Sequence, residues 1–498
     1  MISFEEFQAL AGAYTVVPLV KTILADLHTP VSAYLALRNG GESFLFESAE
    51  PNERIGRFSF IGISPKVMVI ARGDAVEVKE GVTTRTLTAS IFDVLKELAR
   101  EHRFPDQLND GGLVGGLVGY IGYECVSLLE DVPQHPRRFD DPPDAMLGLF
   151  TTILRFDHRM HVITITHNIL IGPNPDLLLL YKEGQKKIDA IELRLRNAVI
   201  PPGSFAAKGC IADSEPARHL FCDAVQRAKE YIVEGDIFQV VLSRKTETAF
   251  SGDPFSVYRA LRTINPSPYL FYVDFGETRL IGSSPEVLVR VHGDEMEVFP
   301  IAGTRKRGKT AEEDVQLERE LLADTKELAE HVMLVDLGRN DVGRMSVFGS
   351  VHVPSFQKIE RYSHVMHIVS EIQGRLKEGA SSLDALKACF PAGTVSGAPK
   401  VRAMEIINEL EPGRRGVYAG AVGYLGFDGT LDTCIAIRTI VAHRGTLSVQ
   451  AGAGIVADSV PEREYQETVN KAQVLVDAIM LAANGLTAQR ANGGFTVS

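Results

Sequence analysis

Two pairs of glutamates set three residues apart, Glu327 with Glu330 and Glu464 with Glu467, are the side chains best spaced to do chemistry in this sequence. On a helix that spacing puts both carboxylates of a pair on one face, and Lys471 shares the face of Glu464 and Glu467. Carboxylates crowded at the edge of a core repel one another and lose hydration, so something cationic must compensate them. Four carboxylates with some waters suit Mg²⁺, which takes oxygen ligands and keeps waters that an anionic substrate can displace. Each pair taken alone reads equally as a solvated helix face balanced by Lys or Arg.

Other candidates stand near these pairs. The glycine-rich stretches 450–455 (Q-A-G-A-G-I) and 391–400 (P-A-G-T-V-S-G-A-P-K) each precede a helix. They read as loops whose free N–H groups could take a carboxylate, or as tight turns needing positive φ. Arg438, in the short alternating strand C-I-A-I-R-T-I, could clamp a carboxylate bidentately; taken alone it reads as a surface ion pair. His364 and His367 could do acid–base work or be satisfied core histidines.

The elements that must position these groups follow from pattern. Residues 324–343 read as one helix, with Asp324 and Glu327 as a capping box, Gly338 and Gly343 as stops, and Leu328, Val332 and Val335 as its apolar stripe. Ser459 with Glu462 is a second capping box, with Pro461 in the first turn of the helix that carries Glu464 and Glu467. Before about residue 200 the chain is mixed α/β, with short strands expected at 14–21, 32–37, 44–48 and 57–62 and an amphipathic helix at 91–102. The run 111–123 lacks the Gly-Lys-Ser/Thr ending of a phosphate loop and reads instead as a glycine-rich strand in close backbone contact. A boundary is expected over 200–216, between a helix at 186–197 and another at 217–234. Strands are expected at 237–248, 269–275, 279–281, 287–291 and 295–299. The organisation is therefore an N-terminal region, 1–200, a second region, 215–484, and a polar, glycine-rich tail, 485–498, expected to be disordered.

Composition narrows the class. With 498 residues, 45% hydrophobic and 23% charged, the chain has an ordinary globular make-up. A formal charge of −12 with no basic run argues against nucleic-acid binding. Five scattered cysteines without a C-x-x-C spacing indicate a reduced, cytoplasmic protein with no structural zinc. The acidic start M-I-S-F-E-E-F is no leader, and no apolar run reaches the roughly 18 residues of a membrane span. The residues themselves thus point to a Mg²⁺-dependent enzyme acting on a small carboxylate.

The long motifs add a resemblance. P-I-A-G-T-R at 300–305, D-T-K-E-L-A-E-H-V-M-L-V-D-L-G-R-N-D from Asp324, S-H-V-M-H-I-V-S, F-P-A-G-T-V-S-G-A-P-K, G-V-Y-A-G-A-V-G-Y ending at Tyr424, and Q-A-G-A-G-I-V-A-D-S stand in one order. Together they make the chain similar to the chorismate-utilising enzymes, strongly over about 215–480 and more loosely before that. The resemblance implies an α+β fold of largely antiparallel sheets packed with helices. It implies Glu327, Glu330, Glu464 and Glu467 as a Mg²⁺ cage for the ring carboxylate of chorismate. Arg438 and Tyr418 would grip the enolpyruvyl carboxylate, Lys471 and the Gly452 and Gly454 amides would face substrate carboxylates, and Gly303, Thr304 and Thr394 would line the pocket. Glu286 resembles the acid that protonates the departing C4 hydroxyl, and His367 the histidine of pyruvate elimination.

Two departures narrow the reaction. Relatives that attack the ring with a lysine carry it where Ala302 stands, and relatives that add water carry a lysine base where Gln239 stands. Their absence selects the anthranilate-forming branch: chorismate and free ammonia giving anthranilate and pyruvate, a lyase reaction at the first committed step of tryptophan synthesis. No cysteine stands in a G-x-C-x-G amidotransferase setting, so a separate glutamine amidotransferase subunit and a hetero-oligomer are implied. The family is feedback-inhibited by L-tryptophan, and Glu47 and Ser48 with Pro268, Tyr269 and Leu270 resemble the two walls of that site.

Overall fold

The computed structural model describes residues 1–48, 56–109, 111–198, 203–208, 215–308, 310–361, 365–486, 489–491 and 494–496. His364 and Cys210 lie outside them, as do 200–202 and 209–214 of the expected boundary.

Among the described residues two antiparallel sheets of 12 strands each form the body, eleven strands of each on one path, with Gly397–Ala398 added beside the first and His352–Arg361 beside the second. In the first, Val16–Leu24, Val162–Leu170, Thr152–Asp157, Phe58–Ile63 and Ser43–Glu47 run on into Tyr269–Phe275, Thr278–Ser284, Thr439–His443, Thr446–Ile455, Gln239–Gly252 and Phe205–Lys208. In the second, Ile301–Lys306, Val365–Arg375, Glu295–Val298, Val287–His292, Leu431–Ile435 and Ala421–Gly426 run on into Gly116–Ile121, Ala145–Phe150, Val67–Arg72, Ala75–Glu80 and Thr83–Thr88. Both sheets therefore contain strands from before and after the 200–216 stretch, joined where Leu270 pairs with Glu47 and where Val422 pairs with Tyr120.

Alternation along the strands builds the layers. Phe271, Val273 and Phe275 point to a core shared with Met146, Val118 and Val422 of the other sheet. Their neighbours Leu270 and Tyr272 point outward, beneath the helices Phe255–Ile264 and Pro461–Ala483. The outer face of the second sheet packs on the helices Ile91–Glu101, Thr325–Met345 and Ser382–Cys389. The α+β architecture expected from the sequence is thus present, as two stacked sheets with helices on both outer faces.

Several local expectations change. Residues 32–37, read as a strand, lie in the helix Pro30–Leu37, because Thr29 and Ser32 form a reciprocal cap and Pro30 opens the first turn. The glycine-rich run at 111–123 holds the fully buried strand Gly116–Ile121; a Cβ on Gly119 would stand 2.0 Å from the Met146 carbonyl oxygen. Within the tail, Gln489–Ala491 pairs with Gly494–Thr496. No helix among the described residues is long and apolar enough to cross a membrane, and the four described cysteines are unpaired.

Candidate active site

The glutamate pairs ride on two helices. Thr325–Met345 is capped by Asp324, whose carboxylate accepts from the Lys326 and Glu327 amides. The helix passes through Gly338 and Gly343 rather than stopping there: a Cβ on Gly338 would meet Ile372 at 2.8 Å, so glycine serves close packing on the sheet. Its buried face is His331, Leu334, Val335 and Val342, while Val332 is exposed. The expected stripe was rotated because His331, paired with the Ser370 hydroxyl at 2.6 Å, buries as well as an aliphatic does. Pro461–Ala483 is capped at Val460 without a side-chain bond; Ser459 instead accepts from the Val456 amide at 3.1 Å and hydrogen-bonds Glu464.

Lys326 Nζ reaches Asp458 Oδ2 at 2.9 Å and joins the N-terminal ends of the two helices. Burial, then the charge of Glu327, then that of Glu467 on the other helix push the Glu330 carboxyl up, while the Gln239 amide, 3.5 Å away, acts against them. Burial and Glu467 raise Glu464 likewise, against the bond from Ser459. All four carboxylates therefore share one electrostatic neighbourhood. Two carry local cations: Arg305 lies 3.1 Å from Glu327 and Lys471 2.6 Å from Glu467. Among the described residues no three His, Cys, Asp or Glu side chains are drawn together tightly enough to hold a metal ion. The donor set, opposed carboxylates whose mutual repulsion a cation would relieve, fits Mg²⁺ in chemistry.

Across from the helices lies a buried carboxyl. Glu286 accepts the Thr394 hydroxyl at 2.7 Å, and burial pushes its pKa up to about 7 against that bond and the charges of Lys471 and Arg438. A cavity of about 50 Å³ behind the pair is lined by Glu286, Thr394, Leu334, Leu337 and Cys389.

Arg438 is placed differently from the strand position expected of it. It occupies the bend between Leu431–Ile435 and Thr439–His443, with φ +50°. Its guanidinium forms no ion pair or side-chain hydrogen bond among the described residues. Burial lowers its pKa, while Tyr418, Glu467 and Glu286 act in the opposite direction. A half-buried guanidinium without a partner among the described residues is costly.

The stretch 450–455 is not a loop but the end of the strand Thr446–Ile455. Its glycines let side chains close down on the strand: a Cβ on Gly452 would stand 2.7 Å from the Tyr418 hydroxyl, and one on Gly454 2.6 Å from Gln239 Nε2. Lys471 Nζ donates to the Gly452 carbonyl at 2.9 Å, fixing the ammonium against this strand.

His367 faces the bulge in Ile301–Lys306. Its Nδ1 lies 3.0 Å from the Gly303 carbonyl and 3.1 Å from the Thr304 hydroxyl. A carbonyl only accepts, so Nδ1 carries the proton and Nε2 the lone pair. Burial lowers the ring's pKa, which keeps it neutral and basic near pH 7. Gly303 adopts φ +64°, and a Cβ there would crowd Leu321 at 3.0 Å and Glu327 at 3.2 Å. Arg305, two residues on, holds both Asp324 at 2.8 Å and Glu327 at 3.1 Å, a role that the P-I-A-G-T-R motif alone did not reveal.

The two walls at Glu47 and Leu270 are paired neighbours in the first sheet. The Glu47 carboxylate accepts from Tyr258 at 2.5 Å and from Arg262 at 2.9 and 3.1 Å, whereas the buried Ser48 hydroxyl has no partner among the described residues. Pro268 is buried, and Tyr269 turns to Asp432 at 2.6 Å. Leu270 pairs with Ser283, whose amide donates to the Arg438 carbonyl at 3.1 Å, so these walls are two strands from the unpaired guanidinium.

Comparison with known proteins shows the family. A family described as chorismate binding enzyme matches residues 41–477. Anthranilate synthase component 1 of Neisseria meningitidis serogroup A is 45% identical over 98% of this chain and 100% of its own length. That of Synechocystis is 47% identical over 96% of this chain and 98% of its own. The crystal structure of anthranilate synthase component I from Streptococcus pneumoniae superposes with a TM-score of 0.73 at 36% identity, covering 91% of this chain and 99% of that one. The menaquinone-specific isochorismate synthase of Escherichia coli, at 21% identity and a TM-score of 0.69, shares the fold. The chain belongs to the chorismate binding enzyme family, among its anthranilate synthase component 1 members.

Proposed function

We propose that this chain converts chorismate and ammonia to anthranilate and pyruvate, the ammonia coming from glutamine on a separate amidotransferase subunit. The observation that carries the reading is Arg438, a half-buried guanidinium with no anionic partner among the described residues, facing a carboxyl whose pKa is pushed up to about 7. A substrate with a carboxylate for the arginine and a hydroxyl for the acid answers both. Glu286 gives its proton to the C4 hydroxyl, which leaves as water, while ammonia adds at C2 and its surplus proton restores the acid. His367, neutral and basic at Nε2, then takes the C2 proton; the enolpyruvyl oxygen leaves C3, its methylene is protonated, and pyruvate departs as the ring aromatises. Tyr418, close above Gly452, and Lys471, bonded to the Gly452 carbonyl, hold the substrate. Mg²⁺ held by Glu327, Glu330, Glu464 and Glu467 would supply charge neutralisation and orientation of the ring carboxylate. Ala302, buried and without an amine, supports ammonia rather than a protein lysine as nucleophile. The Ser48 hydroxyl beside Glu47, without a partner among the described residues, supports a regulatory site for tryptophan.

The test is turnover of chorismate with Mg²⁺ and an ammonium salt, repeated with glutamine with and without an amidotransferase subunit. Anthranilate from ammonium alone, and from glutamine only with the second subunit, is the expected result. Retention of the enolpyruvyl group in a 4-amino product would overturn it.

A further inference from the structure

We propose that Arg415 is a positioning residue, a buried hub that sets the distances between the walls of the active site. Its side chain is 1% exposed and that of its partner Glu411 5%. Nη2 donates to Glu411 Oε1 at 2.6 Å and to the Val241 carbonyl at 2.6 Å, Nε to Glu411 Oε2 at 2.9 Å, and Nη1 to the Val395 carbonyl at 2.7 Å. Glu411 in turn accepts from the Ser243 amide at 2.7 Å and hydroxyl at 2.8 Å, and Gln450 donates to that hydroxyl at 2.8 Å. The guanidinium also lies over the rings of Tyr123 at 4.8 Å and Tyr418 at 5.6 Å.

Each bond ends one step from a group that faces substrate in the proposed reaction, on which this inference rests. Val395 follows Thr394, whose hydroxyl holds Glu286. Val241 pairs with Gly454 and Ser243 with Gly452, and Tyr418 is stacked directly. A rigid, planar fork thus fixes the acid, the glycine-bearing strand and the tyrosine relative to one another. Packing alone does not require such a pair, because apolar residues of similar volume often stabilise a core as well or better. What the fork adds is geometry.

Arg415→Lys keeps the charge and loses the fork. Measured with chorismate and ammonium, its KM for chorismate rises and kcat/KM falls by roughly 10²-fold, the scale of a misplaced catalytic group. KM does not depend on how much of a preparation is folded, so a merely stabilising role lowers apparent kcat and leaves KM alone. Ser243→Ala, which removes a single hydroxyl from the same network, raises KM in the same direction and serves as the deciding variant if Arg415→Lys lacks a cooperative melt. Chorismate binding by calorimetry in the absence of ammonia follows the same order in all three proteins, whatever product the wild type forms. Folded Arg415→Lys with wild-type KM and affinity, or Ser243→Ala with both unchanged, overturns the inference. A wild type that binds chorismate but yields no anthranilate overturns the proposed reaction instead.

Discussion

Replacing Glu286 by Gln separates the two things its burial does. The carboxyl titrates near 7 in the folded chain against an ordinary value of 4.5, burial being the largest cause. Between those pH values the folded protein holds a proton that the unfolded chain has released, so stability falls as pH rises through this window. At 1.36 kcal/mol per pH unit, the window from 4.5 to about 7 corresponds to roughly 3 kcal/mol, fully lost above about pH 8. Gln keeps an oxygen for the Thr394 hydroxyl and cannot ionise. Glu286→Gln is therefore as stable as the wild type near pH 4.5 and more stable by up to about 3 kcal/mol at pH 8. Its turnover is lower by roughly 10²- to 10⁴-fold, the usual loss of a general acid. Wild-type kcat/KM declines as pH passes upward through about 7, where the free acid ionises. Melting points of both proteins from pH 4.5 to 8, beside the pH profile of kcat/KM, provide the assay. A melting difference that does not widen with pH, or a wild-type profile flat through 7, would refute the acid assignment.

Three further outcomes follow from the same geometry. Glu330→Gln removes a carboxylate that its neighbours already push toward protonation, so the fold melts normally while turnover collapses and the Mg²⁺ response shifts to higher concentration; unchanged activity would remove Glu330 from the metal site. Arg438→Met costs no ion pair in the free protein, so stability holds or rises, while KM for chorismate increases about 10²-fold or more through loss of a charged hydrogen-bonded pair; a KM within a few-fold of wild type would place the carboxylate elsewhere. Ser48→Ala removes a buried hydroxyl that has no partner among the described residues, so basal activity and melting stay as they are and tryptophan inhibition weakens by at least several-fold; undiminished inhibition would move the regulatory site.

What the sequence made legible was local and periodic. The Asp324 cap and a buried strand within 111–123 follow from signals a few residues long and are present, although Glu327 turns to Arg305 instead of closing the box and the strand covers only Gly116–Ile121. What it hid was non-local. Gly338 reads as a helix stop until Ile372 is seen against it, and the glycines at 452 and 454 read as a loop until Tyr418 and Gln239 fill the space above them. His331 was passed over in the apolar stripe because only the fold supplies Ser370. Residues 32–37 read as a strand until Thr29 and Ser32 are seen to cap the helix Pro30–Leu37 reciprocally. The partnerless state of Arg438 could not be read from its motif, since it depends on every element that fails to offer it a carboxylate.

The position of the new nitrogen on the ring tests the central claim most directly. Chorismate and ¹⁵N-labelled ammonium with the purified chain and Mg²⁺ give, on this account, nitrogen on the carbon adjacent to the one bearing the ring carboxylate, with one pyruvate released per ring. Nitrogen para to that carboxylate with the enolpyruvyl group still attached would contradict it.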